Sequence, residues 1–210
     1  MKVDNFHIIR PLLTFDNEDQ FYFLQILQRK KDHNNRKVNG INNNSRLVQA
    51  YFVHSLEYLD FVKPEIIQLC EIFGARANIN LNRRSYQQVA NHTVTHILDQ
   101  ILFKKDFKAY KAWNTVCGQY HSKEDKSWLF DFDDEETQYK QVFLECMSKC
   151  RPGSQKVIAK IPSRAGFHLI TDRFDLAQFS EFLKQKGINW NSKSKFISLH
   201  KNNPTNLYIP

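Results

Sequence analysis

Long hydrophobic runs are missing from this sequence of 210 residues. No window approaches the ~18 uninterrupted apolar residues that a membrane-spanning helix needs. The amino end also lacks the pattern of a secretory signal peptide, because Asp4 and His7 precede a short apolar stretch that Pro11 interrupts. We therefore expect a protein that stays in the cytoplasm and has no membrane partner.

Cysteine is also scarce. The sequence has 4 cysteines, and none of them forms a Cys-x-x-Cys pair. A chain of this length can bury roughly 70% of its unfolded surface, so it needs no disulfide framework. Without an export signal the thiols are expected to be reduced. A zinc site formed by Cys146, Cys150 and a distant histidine is the alternative, but we favour small buried residues.

The motifs of several enzyme classes are absent. The 6 glycines form neither a Gly-x4-Gly-Lys-[Ser/Thr] phosphate loop nor a Gly-x-Ser-x-Gly elbow, and no His-hydrophobic-His pair of a rolling-circle nickase occurs. His92 and His96 have the spacing of a zinc-binding helix, but Thr93 stands where a metalloprotease requires glutamate. These classes are excluded, and the two histidines are interpreted as part of a helix face.

Positive charge is in excess. Lysine and arginine number 30 against 22 acids, which gives a net charge of +8, and 41% of the residues are hydrophobic. The chain is therefore globular and basic. Basic groups are interleaved with Tyr110, Trp113, Tyr120 and Trp190. Cations that bind phosphates and rings that stack on bases are what a groove for single-stranded nucleic acid requires, although many charge clusters are only solvated faces.

The order of the predicted elements indicates an α+β protein. Helix-like spacing of Phe21, Leu24 and Leu27 predicts a first helix over Glu18–Lys31, followed by an exposed, basic, asparagine-rich loop up to residue 45. Beyond it, strands alternate with helices, which favours a mixed or largely antiparallel sheet backed by helices. We expect a single domain in which residues 1–45 pack on a core of residues 46–210.

Two more segments bear on the site. Ala77–Asn82 alternates strictly between apolar residues and asparagine, which predicts a half-buried strand. Arg83 and Arg84 follow it on a strand-to-helix turn. Near the carboxyl end, the β-rich segments Phe196–His200 and Leu207–Ile209 flank a turn and predict a last pair of strands.

An acidic pair marks the first candidate site. In the predicted strand Ser127–Asp133, the side chains of Asp131 and Asp133 share a face, while Phe130 and Phe132 point to the opposite, packed side. Two adjacent carboxylates repel each other unless a cation lies between them, and Mg²⁺ or Mn²⁺ takes one or two carboxylates in phosphoryl-transfer sites. The alternative is a solvated strand end that leads into a helix amino terminus.

A predicted hairpin marks the second candidate site. Ser163 and His168 lie on either side of its turn, where Gly166 permits a close approach of a ligand or of backbone. Histidine can donate to a phosphate, and Ser163, Arg164 and Lys160 add further donors. The alternative is an ordinary β-hairpin with a hydrogen-bonded histidine.

The order of these motifs resembles that of the archaeo-eukaryotic primase superfamily, especially the small primase-polymerases of phages and plasmids. The resemblance rests on Asn80-Leu81-Asn82-Arg83-Arg84-Ser85, Asp131-Phe132-Asp133 and Ser163-Arg164-Ala165-Gly166-Phe167-His168. It extends from about Ala77 to the carboxyl end. It implies a catalytic sheet similar to an RNA-recognition motif, and a primase-polymerase that extends nucleic acid in the replication of a mobile element or phage.

The resemblance also implies roles for individual residues. Asp131 and Asp133 would hold Mg²⁺ or Mn²⁺, and His168 with Ser163 would contact the phosphates of the incoming nucleotide. Arg83 or Arg84 would contact nucleotide or template; Arg164 and Lys160 would add positive charge. The implied partners are a single-stranded DNA or RNA template, nucleoside triphosphates, and a separate helicase or replication protein.

One departure from the family's pattern keeps two alternatives open. The family supplies a third acidic ligand on a later strand, but Phe196–Lys201 contains no acid, and Asp172 and Asp175 are the nearest candidates. A non-catalytic nucleic-acid-binding module with a degenerate primase-like fold is therefore one alternative. A divalent-metal nuclease built on the same acids is the other.

Overall fold

The computed structural model describes residues 2–32, 45–104, 109–121, 126–133, 139–190, 197–202 and 204–210. The chain forms two compact units, Met1–Asp125 with Asn206–Pro210, and Lys126–Thr205. The expected division into residues 1–45 and a core of residues 46–210 stays a prediction. Most of the expected asparagine-rich loop, and the acids 134–136, lie outside the described residues. Both units combine helices with antiparallel strands, so the α+β class is confirmed.

The first unit is built on a six-stranded sheet in the order β1-β10-β4-β2-β3, with β5 paired to β2. Its strands are β1 Val3–Asp4, β2 Gln20–Arg29, β3 Ser45–Val53, β4 Arg76–Ile79, β5 Arg84–Ser85 and β10 Thr205–Ile209. Its α-helices are α1 Phe6–Ile9, α2 Leu56–Phe73, α3 Tyr86–Asp99 and α4 Ala109–Gln119.

The predicted helix over Glu18–Lys31 is wrong, because Gln20–Arg29 is the long strand β2. This strand pairs with β3, β4 and β5, so it lies inside the sheet. Phe21, Phe23 and Leu24 are all fully buried, although they point to both faces. A strand that is buried on both faces loses the period of two, which is why its spacing looked helical.

The sequence Lys63-Pro64-Glu65 predicts a helix with proline in its first turn and Gly74 at its end, but α2 begins earlier, at Leu56. Its amino-terminal cap is Ser55, whose Oγ accepts a hydrogen bond from the backbone N–H of Tyr58. Pro64 therefore lies inside the helix. Gly74 ends it as expected, with a left-handed φ of 53° that glycine adopts at little cost.

The second unit contains the elements β6 Trp128–Phe132, α5 Lys140–Lys149, β7 Val157–Pro162, β8 Phe167–Thr171, α6 Leu176–Gln185 and β9 Ile197–His200. Its four strands form an antiparallel sheet in the order β7-β8-β6-β9. Helices α5 and α6 pack on one face, where Phe143 and Phe179 contact Phe130 and Phe132 of β6 in an aromatic core. The opposite face of the sheet carries no helix of this unit among the described residues.

The two segments predicted as a last pair of strands both form strands, but they do not pair with each other. β9 is hydrogen-bonded to β6 in the second unit. β10 pairs with β1 in the sheet of the first unit, where Tyr208 lies opposite Asp4. None of the helices in the described part of the chain is long and apolar enough to cross a membrane.

Candidate active site

The site is built around β6, which lies between β8 and β9 in the second unit. Asp131 stands opposite His168 of β8 on one side and opposite Ser198 of β9 on the other. Residues directly opposite in an antiparallel pair have neighbouring side chains on one face. The register therefore places a carboxylate, an imidazole and a hydroxyl in one row across three strands.

Asp131 lies on the face opposite the helices. Phe130 and Phe132 belong to the aromatic core, so the alternating Asp131 points away from it. Asp133 follows directly after the strand and is exposed. Both carboxylates act electrostatically on His200 of β9.

His168 lies beside Asp131 in the same face. Its Nε2 is 3.4 Å from Oδ1 of Asp131, and its Nδ1 is 2.8 Å from Oγ1 of Thr205. Only 7% of His168 is exposed, whereas 30% of the Asp131 side chain is exposed. The imidazole thus lies between Thr205 and Asp131, and the partly exposed Asp131 carboxylate is on the solvent side.

The turn of the hairpin between β7 and β8 presses against the end of β6. The backbone N–H of Ser163 donates to the carbonyl oxygen of Gly166 at 2.9 Å, which closes the turn. A Cβ atom on Gly166 would lie 2.0 Å from the carbonyl oxygen of Phe132, so only glycine permits this approach. Ser163 is buried at the turn, and Arg164 is exposed.

Lys160 is directed to the other face of the sheet. It stands opposite Leu169, a core residue, and its Nζ lies 4.3 Å from the centre of the Phe167 ring. Lys140 of α5 approaches the same ring, at 4.8 Å. The structure therefore separates Lys160 from His168 and Asp131, because alternate residues of β7 face opposite sides.

His200 belongs to the site although the sequence analysis did not select it. Its Nε2 is 2.7 Å from Oγ of Ser198, the residue opposite Asp131. Burial lowers the pKa of His200 from its ordinary 6.5; Asp131 and Asp133 act to raise it and His168 to lower it. The sequence does show that Ser198 and His200, two residues apart in a β-rich segment, share one face of a strand. The pairing of β9 with β6, however, is a long-range contact that no local pattern encodes.

Arg83 and Arg84 lie in the first unit and have contacts there. Nη1 of Arg83 is 2.6 Å from a carboxylate oxygen of Asp16 and 3.0 Å from the side-chain oxygen of Gln20. Arg84 is almost completely buried, and its Nε donates to the backbone carbonyl of Cys117 at 2.6 Å. Burial lowers the pKa of Arg84 to about 10, which still leaves the guanidinium charged at neutral pH. A structural role accounts for these contacts.

The two candidates for a third acidic ligand lie away from the aspartate pair. Asp172 follows Thr171, which stands opposite Trp128 at the far end of β6. Asp175 is the amino-terminal cap of α6, where its Oδ1 accepts from the backbone N–H groups of Ala177 and Gln178. Across the described ranges, no three His, Cys, Asp or Glu side chains are placed to hold a metal ion.

The aromatic residues proposed for base stacking have varied surroundings. Trp113 packs against the core of the first unit, and Trp190 packs in the core of the second. The indole Nε1 of Trp190 donates to the carbonyl of Ile197 at 2.9 Å. Tyr120 is exposed and stacks on His92, with ring centres 3.8 Å apart. The two tryptophans are therefore structural, and Tyr120 is the one of these three rings that a base can reach.

Comparisons of this chain with protein-family models, with curated proteins and with solved structures find no match. Inferences about function therefore rest on the geometry above and on the motif resemblance.

Proposed function

We propose that the second unit carries the active site of a metal-dependent nucleotidyltransferase of the primase-polymerase type, acting on single-stranded or primed nucleic acid. The observation that carries this proposal is the pairing of Asp131 with His168 on one face of a four-stranded sheet, with the exposed Asp133 directly after the same strand. The residues come from two separate motifs, and the pairing of β6 with β8 brings Asp131 beside His168 on the central strands.

The topology of the unit supports the proposal. Its elements follow the order β6-α5-β7-β8-α6-β9, which is the β-α-β-β-α-β order of ferredoxin-like folds. The RNA-recognition motif likewise presents a four-stranded sheet to its ligand. Here Asp131 and His168 lie on the two central strands, β6 and β8, on the face that α5 and α6 leave uncovered within the unit.

The donor set fits a hard divalent cation. Asp131 and Asp133 would hold Mg²⁺ or Mn²⁺ through carboxylate oxygens, the ligands that such ions prefer. Since no third acid joins them in the described residues, water and phosphate oxygens would complete the coordination. When bound, the ion neutralises charge on the triphosphate and activates the attacking hydroxyl.

The protein's own groups then bind and orient the nucleotide. His168 offers a nitrogen beside Asp131, and the exposed Arg164 lies on the hairpin turn that presses on the end of β6. A guanidinium is suited to phosphate because it presents several N–H donors in one plane. The net charge of +8 favours binding of the nucleic-acid strand.

A non-catalytic nucleic-acid-binding module is the second candidate. It is favoured by the small number of acids, because the described residues place only a pair of carboxylates at this face and no three-ligand metal group. In that case Asp131 would serve mainly as the partner of the buried His168. The basic composition is equally compatible with such a module.

The test is primer extension with matched variants. Replacing Asp131 and Asp133 by asparagine keeps size and removes charge, and it should reduce nucleotide incorporation at least ~10²-fold, or about 2.7 kcal/mol of barrier. The control variant Asp172→Asn with Glu181→Gln removes two charges from exposed positions of the same unit and should extend primers normally. Binding of an oligonucleotide should persist or strengthen in the aspartate variant, since negative charge leaves a phosphate-binding surface.

The result also separates the candidates. Wild-type protein that binds the strand but extends no primer with Mg²⁺ or Mn²⁺, with either ribo- or deoxyribonucleotides, would favour the binding module. If the wild type degrades the primer in the presence of metal and the aspartate variant does not, the protein is a nuclease.

A further inference from the structure

A chain of three side chains runs through the site, from Thr205 through His168 to Asp131. Oγ1 of Thr205 is 2.8 Å from Nδ1 of His168, and Nε2 of the same ring is 3.4 Å from Oδ1 of Asp131. Thr205 is completely buried, at 0% exposure. Its hydroxyl thus contacts the ring nitrogen that faces away from the carboxylate.

The chemistry of the carboxylate decides which nitrogen carries the proton. An ionised carboxylate only accepts hydrogen bonds, so a neutral imidazole facing it must present N–H and not a lone pair. In His168 this places the proton on Nε2 and leaves Nδ1 as an acceptor. A threonine hydroxyl can donate or accept a hydrogen bond. Because Nδ1 of His168 is an acceptor, the hydroxyl of Thr205 is the donor.

We propose that Thr205 is a positioning residue, whose hydroxyl donates to Nδ1 of His168 and holds the ring in the tautomer that carries its proton on Nε2. A threonine suits this task because its branched Cβ restricts χ1, so the hydroxyl has a fixed direction. Thr205 belongs to the second unit, as His168 does.

The tautomer sets the class of atom that His168 binds. With the proton on Nε2, the ring presents a donor to anionic oxygens, which are Oδ1 of Asp131 in this structure and would include a phosphate oxygen when a nucleotide is bound. With the proton on Nδ1, the ring would offer its Nε2 lone pair and become a metal ligand beside Asp131, as histidines with a second-shell acceptor do. Thr205 therefore keeps His168 in the donor role that the proposed function needs, and this consequence rests on that function.

The chain offers a matched control for the variant of Thr205. Thr171 of β8 is also completely buried in this unit, and its Oγ1 has no hydrogen-bond partner among the described residues. Thr205→Val and Thr171→Val make the same change of a hydroxyl into a methyl group, but only the first removes a contact with His168. Thr205→Ser retains the hydroxyl and serves as the conservative rescue.

The measurement is the ¹⁵N spectrum of the imidazoles in the full chain without metal, with His168→Gln used to assign the signal. We expect the pattern of an Nε2–H tautomer for wild type, Thr205→Ser and Thr171→Val, and a mixture of tautomers for Thr205→Val. An Nδ1–H pattern in the wild type, or an unchanged pattern in Thr205→Val, overturns the proposal. If the valine variant does not fold, the spectra of the wild type and of Thr205→Ser still show which nitrogen carries the proton.

Nucleotide affinity tests whether the tautomer of His168 matters for binding at the site. Thr205→Val should bind a nucleoside triphosphate with Mg²⁺ about tenfold more weakly, while the serine and Thr171→Val proteins bind as wild type does. Equal affinity of the valine variant and wild type overturns the positioning role. If wild type binds no nucleotide, the proposed function fails, whereas the tautomer result still decides the role of Thr205.

Discussion

The carbonyl oxygen of Phe132 lies where a methyl group on Gly166 would have to pass, at a distance of 2.0 Å from the position of the added carbon. The atoms nearest to that position all belong to the backbone of Phe132 and Asp133, so they cannot rotate away as a flexible side chain would. The hairpin that carries His168 and the strand that carries Asp131 approach each other closely at this point.

We expect Gly166→Ala to destabilise the protein by about 1–3 kcal/mol, the usual cost of overpacking a tight contact. It should also displace the hairpin from β6 and weaken nucleotide binding. Gly153→Ala is the control in the same unit, since a Cβ there meets no atom within 4 Å. Urea unfolding of both variants checks this; equal stability of Gly166→Ala and wild type would contradict the close contact.

Binding of a single-stranded oligonucleotide should weaken steeply with salt. The logarithm of the association constant is expected to fall with the logarithm of salt concentration by about 0.7 per neutralised phosphate. Arg164→Gln should lower this slope by about one contact. Lys149→Gln is the control, because Lys149 is engaged by Glu145 at 2.6 Å. Affinity that does not change between low and moderate salt argues against a nucleic-acid surface.

The stability of the protein should fall in mildly acidic solution because of His200. Burial keeps the folded-state pKa of this imidazole below its ordinary 6.5. Well above pH 6.5 the imidazole is neutral in both states. Below it, the unfolded chain takes up the proton first, so stability decreases as pH falls, with a slope of at most about 1.4 kcal/mol per pH unit. Urea unfolding at pH 7.5 and 5.5 should show a smaller pH dependence for His200→Gln; an identical dependence contradicts the effect.

The four cysteines should be unreactive in the native protein. All are free thiols and buried, which confirms the prediction of small buried residues. Burial raises the pKa of Cys70 and of Cys117 to about 12, and that of Cys150 to about 11; it also raises the pKa of Cys146. Since the thiolate is the reactive form, a disulfide reagent at pH 8 should label none of them until the chain unfolds. Rapid labelling of any one thiol in the folded protein would show that its site opens locally.

Local patterns in the sequence predicted much of the second unit. The strand with Asp131 alternates between aromatic and acidic residues over Phe130–Asp133, and the two β-rich runs around Pro162–Gly166 predicted the hairpin with His168. The C-terminal boundary of α2 was also readable, because Gly74 is needed for its left-handed backbone. These features depend on neighbours a few residues apart.

Long-range pairing was not readable. β2 lost its alternation because sheet neighbours bury both of its faces, and the helix predicted over Glu18–Lys31 was the result. β9 and β10 look like a hairpin in the sequence, yet each one pairs with a distant strand. His200 was missed for the same reason, and the direction of Lys160 was not predictable because only its register opposite Leu169 fixes it.

The location of Asp131 on an inner strand has a dynamic consequence. β6 is hydrogen-bonded to β8 and to β9 along its length, so exchange of its amide hydrogens with solvent requires the sheet to open. We therefore expect the backbone of Asp131 to be among the most protected in the unit. Asp133 and Arg164, by contrast, lie beyond strand ends. We therefore expect these two side chains to move more than Asp131 and His168, whose backbones are paired in the sheet.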